Sequence, residues 1–143
     1  MSELSIFDHV GLNVADLAAM TRWYTEALDL KIEFEFSLPD VAFSGAMLAS
    51  ARGYRIELLH RAGNRPGLQP TDPVDAALRR GYGHFALDVA DVDVMYDGLV
   101  AAGASDRMSP RPSPEPGVRM AYVADPEGNL IELLDRTAAR SRS

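Results

Sequence analysis

The 143-residue sequence contains no cysteine. Disulfide staples, thiolate metal ligands and a cysteine nucleophile are therefore excluded, and any metal must be held by nitrogen and oxygen. Lysine is almost as scarce, Lys31 being the only one, and acidic side chains outnumber basic ones to give a formal net charge of −7. Such a balance offers no basic surface to a phosphate backbone or an anionic bilayer, so neither nucleic acid nor membrane is an expected partner. No apolar run approaches the roughly 20 residues that span a bilayer. Met1 to Asp8 lacks the basic region and following hydrophobic stretch of a secretory signal, and a cytoplasmic location is the expectation. What is present is ordinary: 47% hydrophobic and 24% charged residues, enough to bury a core and to exclude general disorder.

The chain repeats itself. Displaced by 75 residues, His9-Val10-Gly11-Leu12-Asn13-Val14-Ala15-Asp16-Leu17 falls on His84-Phe85-Ala86-Leu87-Asp88-Val89-Ala90-Asp91-Val92. The same displacement, without a gap, lays Ile56-Glu57-Leu58-Leu59 on Ile131-Glu132-Leu133-Leu134 and Gly53 on Gly128. Each copy then reads alike. Ile6 to Val14 and Tyr82 to Val89 alternate as strands do, and Asp16 and Asp91 are placed to cap helices over about Leu17 to Leu28 and Val92 to Ala102. Leu17, Met20, Tyr24 and Leu28 share one helical face, as do Val92, Met95, Tyr96 and Leu99. Three strands follow each helix, near 31–36, 42–49 and 54–60, then near 105–109, 118–124 and 129–134. The expected architecture is α+β: two tandem βαβββ modules, 6–60 and 82–135, in one domain, forming a curved mixed sheet with helices on its outer face. A proline-bearing linker over 61–81, with one helical turn near 74–79, would join them, and 136–143 would be a polar tail. The linker and the proline-rich stretch Pro110 to Pro116 are candidate lids or plain connectors.

Strand alternation fixes where polar side chains point. Val10, Leu12 and Val14, like Phe85, Leu87 and Val89, suit the face that packs on a helix, which turns His9 and His84 to the other. Ile56, Leu58, Ile131 and Leu133 pack toward the helices in the same way, so Glu57 and Glu132 point with the histidines. One such residue alone would be an ordinary polar strand residue. Four at repeat-equivalent positions form two copies of a His/Glu pair, and a pseudo-twofold arrangement could bring them to one divalent cation: Zn, Ni, Co, Mn or Fe(II) suit this N₂O₂ set. His60 has no counterpart, its equivalent being Asp135, and is left out of the set. Phe43, Met47, Met120 and Tyr122 are candidate pocket walls, or else core or interface residues.

With these segments in view, the sequence resembles the vicinal oxygen chelate superfamily, and its glyoxalase I branch in particular. The resemblance rests on the two repeats, on Trp23-Tyr24 and on Asp125-Pro126-Glu127-Gly128-Asn129-Leu130-Ile131-Glu132-Leu133, and runs from about Phe7 to Asp135. It implies paired βαβββ modules around a divalent metal held by His9, Glu57, His84 and Glu132. It further implies a small-molecule substrate chelated through two neighbouring oxygens, a metal-stabilised enediolate, and Glu132 or Glu57 as the catalytic base. A homodimer is implied too, with sites inside one chain or shared between two.

The resemblance departs from glyoxalase I at two points: the glutathione-binding arginine four residues after the first ligand is Asn13 here, and the asparagine often found soon after the second is Arg61. The expected activity is that of a metal-dependent, glyoxalase I-like lyase or isomerase. The nearest alternative is an epimerase like methylmalonyl-CoA epimerase, which Ile56 to His60 also resembles and whose acidic site residue has a counterpart near Asp40. Extradiol dioxygenases use two histidines and one glutamate, so Glu57 argues against that reaction. A binding module of the bleomycin-resistance type is the non-catalytic alternative.

Overall fold

The computed structural model describes residues 1–136, so the expected tail lies outside the described residues apart from Arg136. The chain divides into two compact units, the first ending at Pro66 and the second beginning at Gly67. That boundary falls inside the segment expected to be the linker.

The first unit runs β1 (Val10–Asn13), α1 (Leu17–Ala27), β2 (Lys31–Leu38), β3 (Phe43–Ala49) and β4 (Arg55–Arg61). Its sheet has the order β1-β4-β3-β2, with β1 parallel to β4 and the other pairs antiparallel. In the second unit a one-turn helix, α2 (Pro73–Ala76), precedes β5 (His84–Asp88), α3 (Val92–Ala101), β6 (Ser105–Pro112), β7 (Arg119–Ala124) and β8 (Leu130–Asp135). Its sheet has the order β5-β8-β7-β6, the same pattern. Each unit is thus a βαβββ module, as the repeat predicts. The parallel pair in each exists because a helix returns the chain from the first strand.

Local chemistry accounts for these elements. The Asp16 carboxylate accepts a hydrogen bond from the Ala19 amide at 2.9 Å, and that of Asp91 accepts from Val94 at 3.0 Å. Each satisfies an amide that the first helical turn leaves without a partner. Below the helices lie Ile56, Leu58, Ile131 and Leu133, all buried, together with Met20 and Tyr24 of α1 and Val92 and Leu99 of α3. The helix-facing side of each sheet is therefore the core, and the opposite side is left to the polar residues.

Two expectations shift. The first strand of each unit is shorter than its alternation suggests, because β4 begins at Arg55 and offers Val10 its first register partner at Ile56; Ile6 and Phe7 lie outside the sheet and exposed. Of the stretch Pro110 to Pro116, expected as a turn or flap between strands, the first part belongs to β6, which continues through Pro112, and the turn is confined to Ser113 to Gly117. Proline is tolerated there because β6 is an edge strand, where a missing N–H leaves no ladder bond broken. The segment before β5 is docked rather than loose. Leu68 and Ala76 pack on Ala124 and Leu130, and the Gln69 amide donates to the Glu127 carbonyl at 3.2 Å.

Candidate metal centre

The register places the predicted ligands. In the first unit Gly11 stands opposite Glu57, and Glu57 opposite Met47 on β3. His9, just before β1, turns to the same face, and its Nε2 lies 3.5 Å from Oε1 of Glu57. In the second unit Ala86 stands opposite Glu132, and Glu132 opposite Tyr122 on β7. Here His84 Nε2 lies 3.8 Å from Oε1 of Glu132. Each unit therefore brings one imidazole nitrogen edge-on to one carboxylate oxygen, on the side of its sheet away from the helix. Among the described residues, no group of three or more His, Asp or Glu side chains is arranged so that it could hold a metal ion.

Both pairs have the chemistry of metal donors. The glutamate side chains retain only 20% and 15% exposure and the histidines about a third, so the donors are partly shielded from water yet open on one side. Adjacent ligands on one ion at about 2.1 Å from it lie near 3 Å apart, so modest side-chain rotations would seat either pair on a cation. His9 carries a further mark of a ligand. Its Nδ1 lies 2.6 Å from Oδ2 of Asp8; since a carboxylate only accepts, the ring donates from Nδ1, and the neutral ring then presents its lone pair at Nε2, toward Glu57.

Asp8 is itself held. Arg55 reaches its Oδ1 at 3.8 Å and forms a two-pronged contact with Glu33, at 2.7 and 3.3 Å. The hydrogen bond from His9 holds the Asp8 carboxyl below its usual range, against a weaker opposing effect of burial, and Arg55 does the same for Glu33. Glu33, Arg55, Asp8 and His9 thus form a chain of alternating charge and dipole that ends at the His9 nitrogen facing Glu57.

The second unit lacks this chain. Gly83 stands where Asp8 does, Leu130 where Arg55 does and Met108 where Glu33 does. Its support comes from Tyr122, whose hydroxyl donates to Oε2 of Glu132 at 2.5 Å and lies 3.4 Å from His84 Nε2. The Tyr122 ring meets the His84 ring edge to face, with centroids 5.1 Å apart. Burial and then the Glu132 contact push the Tyr122 phenol well above its ordinary value, so it stays a donor.

Asp8, Arg55 and Glu33 escape sequence reasoning because their signal is breakdown of the repeat, and repeat-equivalence looks only for what is shared. Tyr122 is expected only as a pocket wall. Met47 and Tyr122 do share the glutamates' face in their own sheets, as do Phe43, opposite Arg61, and Met120, opposite Leu134. His60, left out of the ligand set, proves structural: its Nδ1 lies 3.0 Å from the Val14 carbonyl, where Asn64 also donates at 2.8 Å. Asp40 sits in an exposed 3-10 turn, Pro39–Val41. The Asp125 to Asn129 segment is a turn organised by the buried Asp125, which accepts from the amides of Glu127 and Asn129 and from the Asn129 side chain. Gly128, at φ +91, closes it in a conformation that other residues rarely adopt, and so delivers Leu130 and Glu132 into register.

Comparison with known proteins agrees with this architecture. A putative lactoylglutathione lyase of Brassica oleracea var. gemmifera is 29% identical over 133 residues, covering 91% of this chain and 44% of the relative. The chain thus spans less than half the length of that plant relative. A probable lactoylglutathione lyase of Vibrio parahaemolyticus is 27% identical over 138 residues, covering 92% of this chain and 91% of its own. Among solved structures, a glyoxylase/bleomycin resistance protein/dioxygenase domain from Frankia sp. EAN1pec superposes with a TM-score of 0.73 at 27% identity, over 91% of this chain and 90% of that one. The family model for the Glyoxalase/Bleomycin resistance protein/Dioxygenase superfamily matches residues 6–133, which takes in both His/Glu pairs and all but the end of β8. On sequence and fold together, the chain belongs to that superfamily.

Proposed function

We propose that the protein is a metal-dependent, glyoxalase I-like lyase or isomerase, in which His9, Glu57, His84 and Glu132 together bind one divalent ion. The observation that carries this reading is the recurrence, at repeat-equivalent positions, of an imidazole Nε2 facing a glutamate Oε1 on the non-helical side of each sheet. Two neutral imidazoles and two carboxylates balance a divalent charge and suit Ni, Co, Zn, Mn or Fe(II). The names of the relatives point to the same chemistry.

The substrate class is a small molecule with oxygens on adjacent carbons, such as the thiohemiacetal of a 2-oxoaldehyde. The ion supplies Lewis acidity that favours the enediolate over the parent carbonyl compound. A glutamate carboxylate removes the hydrogen, as a proton, from the carbon bearing hydroxyl and sulfur, and the C–H electron pair passes into the enediolate. The same carboxyl returns the proton to the neighbouring carbon, giving a 2-hydroxy thioester with no net gain or loss of atoms. Asp8 keeps His9 in the tautomer that this arrangement requires. The proposal includes a cytoplasmic homodimer, with each ion held by pairs from one chain or from two. Among the described residues no helix is long and apolar enough to cross a membrane.

Proton NMR in D₂O of the metal-loaded protein tests the assignment, with thiohemiacetals made from several thiols and, separately, 2-methylacyl-CoA esters. Conversion of a thiohemiacetal to its hydroxy thioester is the expected result. Washout from the CoA ester alone would replace the reading with epimerisation, and failure to bind any divalent ion would end it.

A further inference from the structure

The face of the first sheet that carries His9 and Glu57 continues beyond them as an apolar surface. Strand register sets Met47 and Phe34 in line with Glu57, and Gly45 and Phe36 in line with Leu59, farther along β4. Phe43, opposite Arg61, begins the next row. Gly45 is what lets this surface close. A Cβ there would stand 2.6 Å from the Phe36 ring and 2.9 Å from the Leu59 side chain, so both lie directly over the glycine backbone. The Phe36 and Phe43 rings meet at a tilt, with centroids 5.6 Å apart, and Phe34 remains 50% exposed beside them. Tilted rings of this kind offer both edge and face to a further ring. The second unit has Met108 and Met120 where the first has Phe34 and Gly45, so the aromatic surface belongs to the first unit alone.

This surface ends in a cation. Arg61 shares the face with Glu57 and lies about 13 Å farther along β4. Its side chain is exposed and, among the described residues, has no hydrogen bond or ion pair. The repeat-equivalent Arg136 is neutralised by Glu115 at 2.5 Å. In a chain of net charge −7, a guanidinium that no internal carboxylate claims is suited to an anion from outside. We propose that this surface is the subsite for the tail of the substrate, and that it selects an aromatic thiol adduct bearing a carboxylate. The ring of that tail lies against Phe34, Phe36 and Phe43, and its carboxylate pairs with Arg61. The inference rests on the metal reading above, since the reacting oxygens at His9 and Glu57 place the tail on the adjoining rows of the same sheet.

NMR of the metal-free protein tests the subsite apart from turnover, with phenylpropanoate as probe and its neutral amide as control. Phenylpropanoate should shift the ring resonances of Phe34, Phe36 and Phe43 and the Arg61 Nε–H, and should bind about tenfold more tightly than the amide. Arg61→Gln should erase that difference, whereas Gly45→Ala, which pushes Phe36 off the surface, should weaken both ligands. Equal affinity for acid and amide, or shifts elsewhere on the protein, would overturn the assignment. So would ring resonances that move on dilution of the protein alone, because a second copy would then be covering the face. With metal-loaded protein, thiohemiacetals of one 2-oxoaldehyde should show a KM about tenfold lower for para-(sulfanylmethyl)benzoate than for phenylmethanethiol, a gap that Arg61→Gln closes. Protein that binds the probe but no divalent ion overturns the metal reading; protein that binds the ion and turns over both adducts alike overturns only the subsite.

Discussion

The two units differ most where they do the same thing. Both present a histidine nitrogen to a glutamate oxygen, but in the first unit the support runs through the histidine, from Glu33 and Arg55 to Asp8 and His9, and in the second through the glutamate, from Tyr122 to Glu132. Duplication kept the donors and let the scaffolding behind them diverge. The lesson is that the donor set is symmetric while the mechanical constraints on it are not.

The strongest feature the two units share is the buried core beneath each helix. Leu58 and Leu133 occupy equivalent, fully buried positions under α1 and α3, and Leu→Ala at either should destabilise by about 2–5 kcal/mol in urea denaturation. A large inequality between them would show that the cores, and not only the supports, have diverged. Next comes Asp8→Asn, which removes the carboxylate that orients His9 and should weaken metal binding by roughly 10- to 100-fold. Gly83→Asp should move the second unit the other way, tightening binding, since nothing lies within 4 Å of a Cβ at that glycine and the new carboxylate has room beside His84. Asp16→Ala and Asp91→Ala should each cost about 1 kcal/mol, equally in the two units, because the caps are alike.

The smallest effect is one of pH. Arg55 holds the Glu33 carboxyl below its ordinary value of 4.5. Its contact is therefore complete above that value and is lost as the pH falls through the lowered folded-state value. An NMR titration of the Glu33 side chain should give a midpoint below 4.5 that returns toward it in Arg55→Ala.

Much of this was legible in the sequence. The 75-residue displacement, the capping aspartates and the strict alternation at Ile56-Glu57-Leu58 and Ile131-Glu132-Leu133 state the modules and the shared face of each His/Glu pair, because period and repetition are written along the chain. The supports were not legible. Asp8 and Arg55 are far apart in sequence and meet because β1 and β4 pair in parallel, and Tyr122 reaches Glu132 through an antiparallel register that alternation alone does not fix. The end of β1 at Val10 likewise depended on where its partner strand begins.

The proposed centre is one ion held by both pairs. X-ray absorption at the metal edge of the loaded protein, titrated to one equivalent of ion per pair of His/Glu sets, counts the imidazoles directly. Two imidazoles per ion are expected, falling to one in His9→Ala and likewise to one in His84→Ala. A single imidazole per ion in the unaltered protein, or a count unchanged by either substitution, would contradict it.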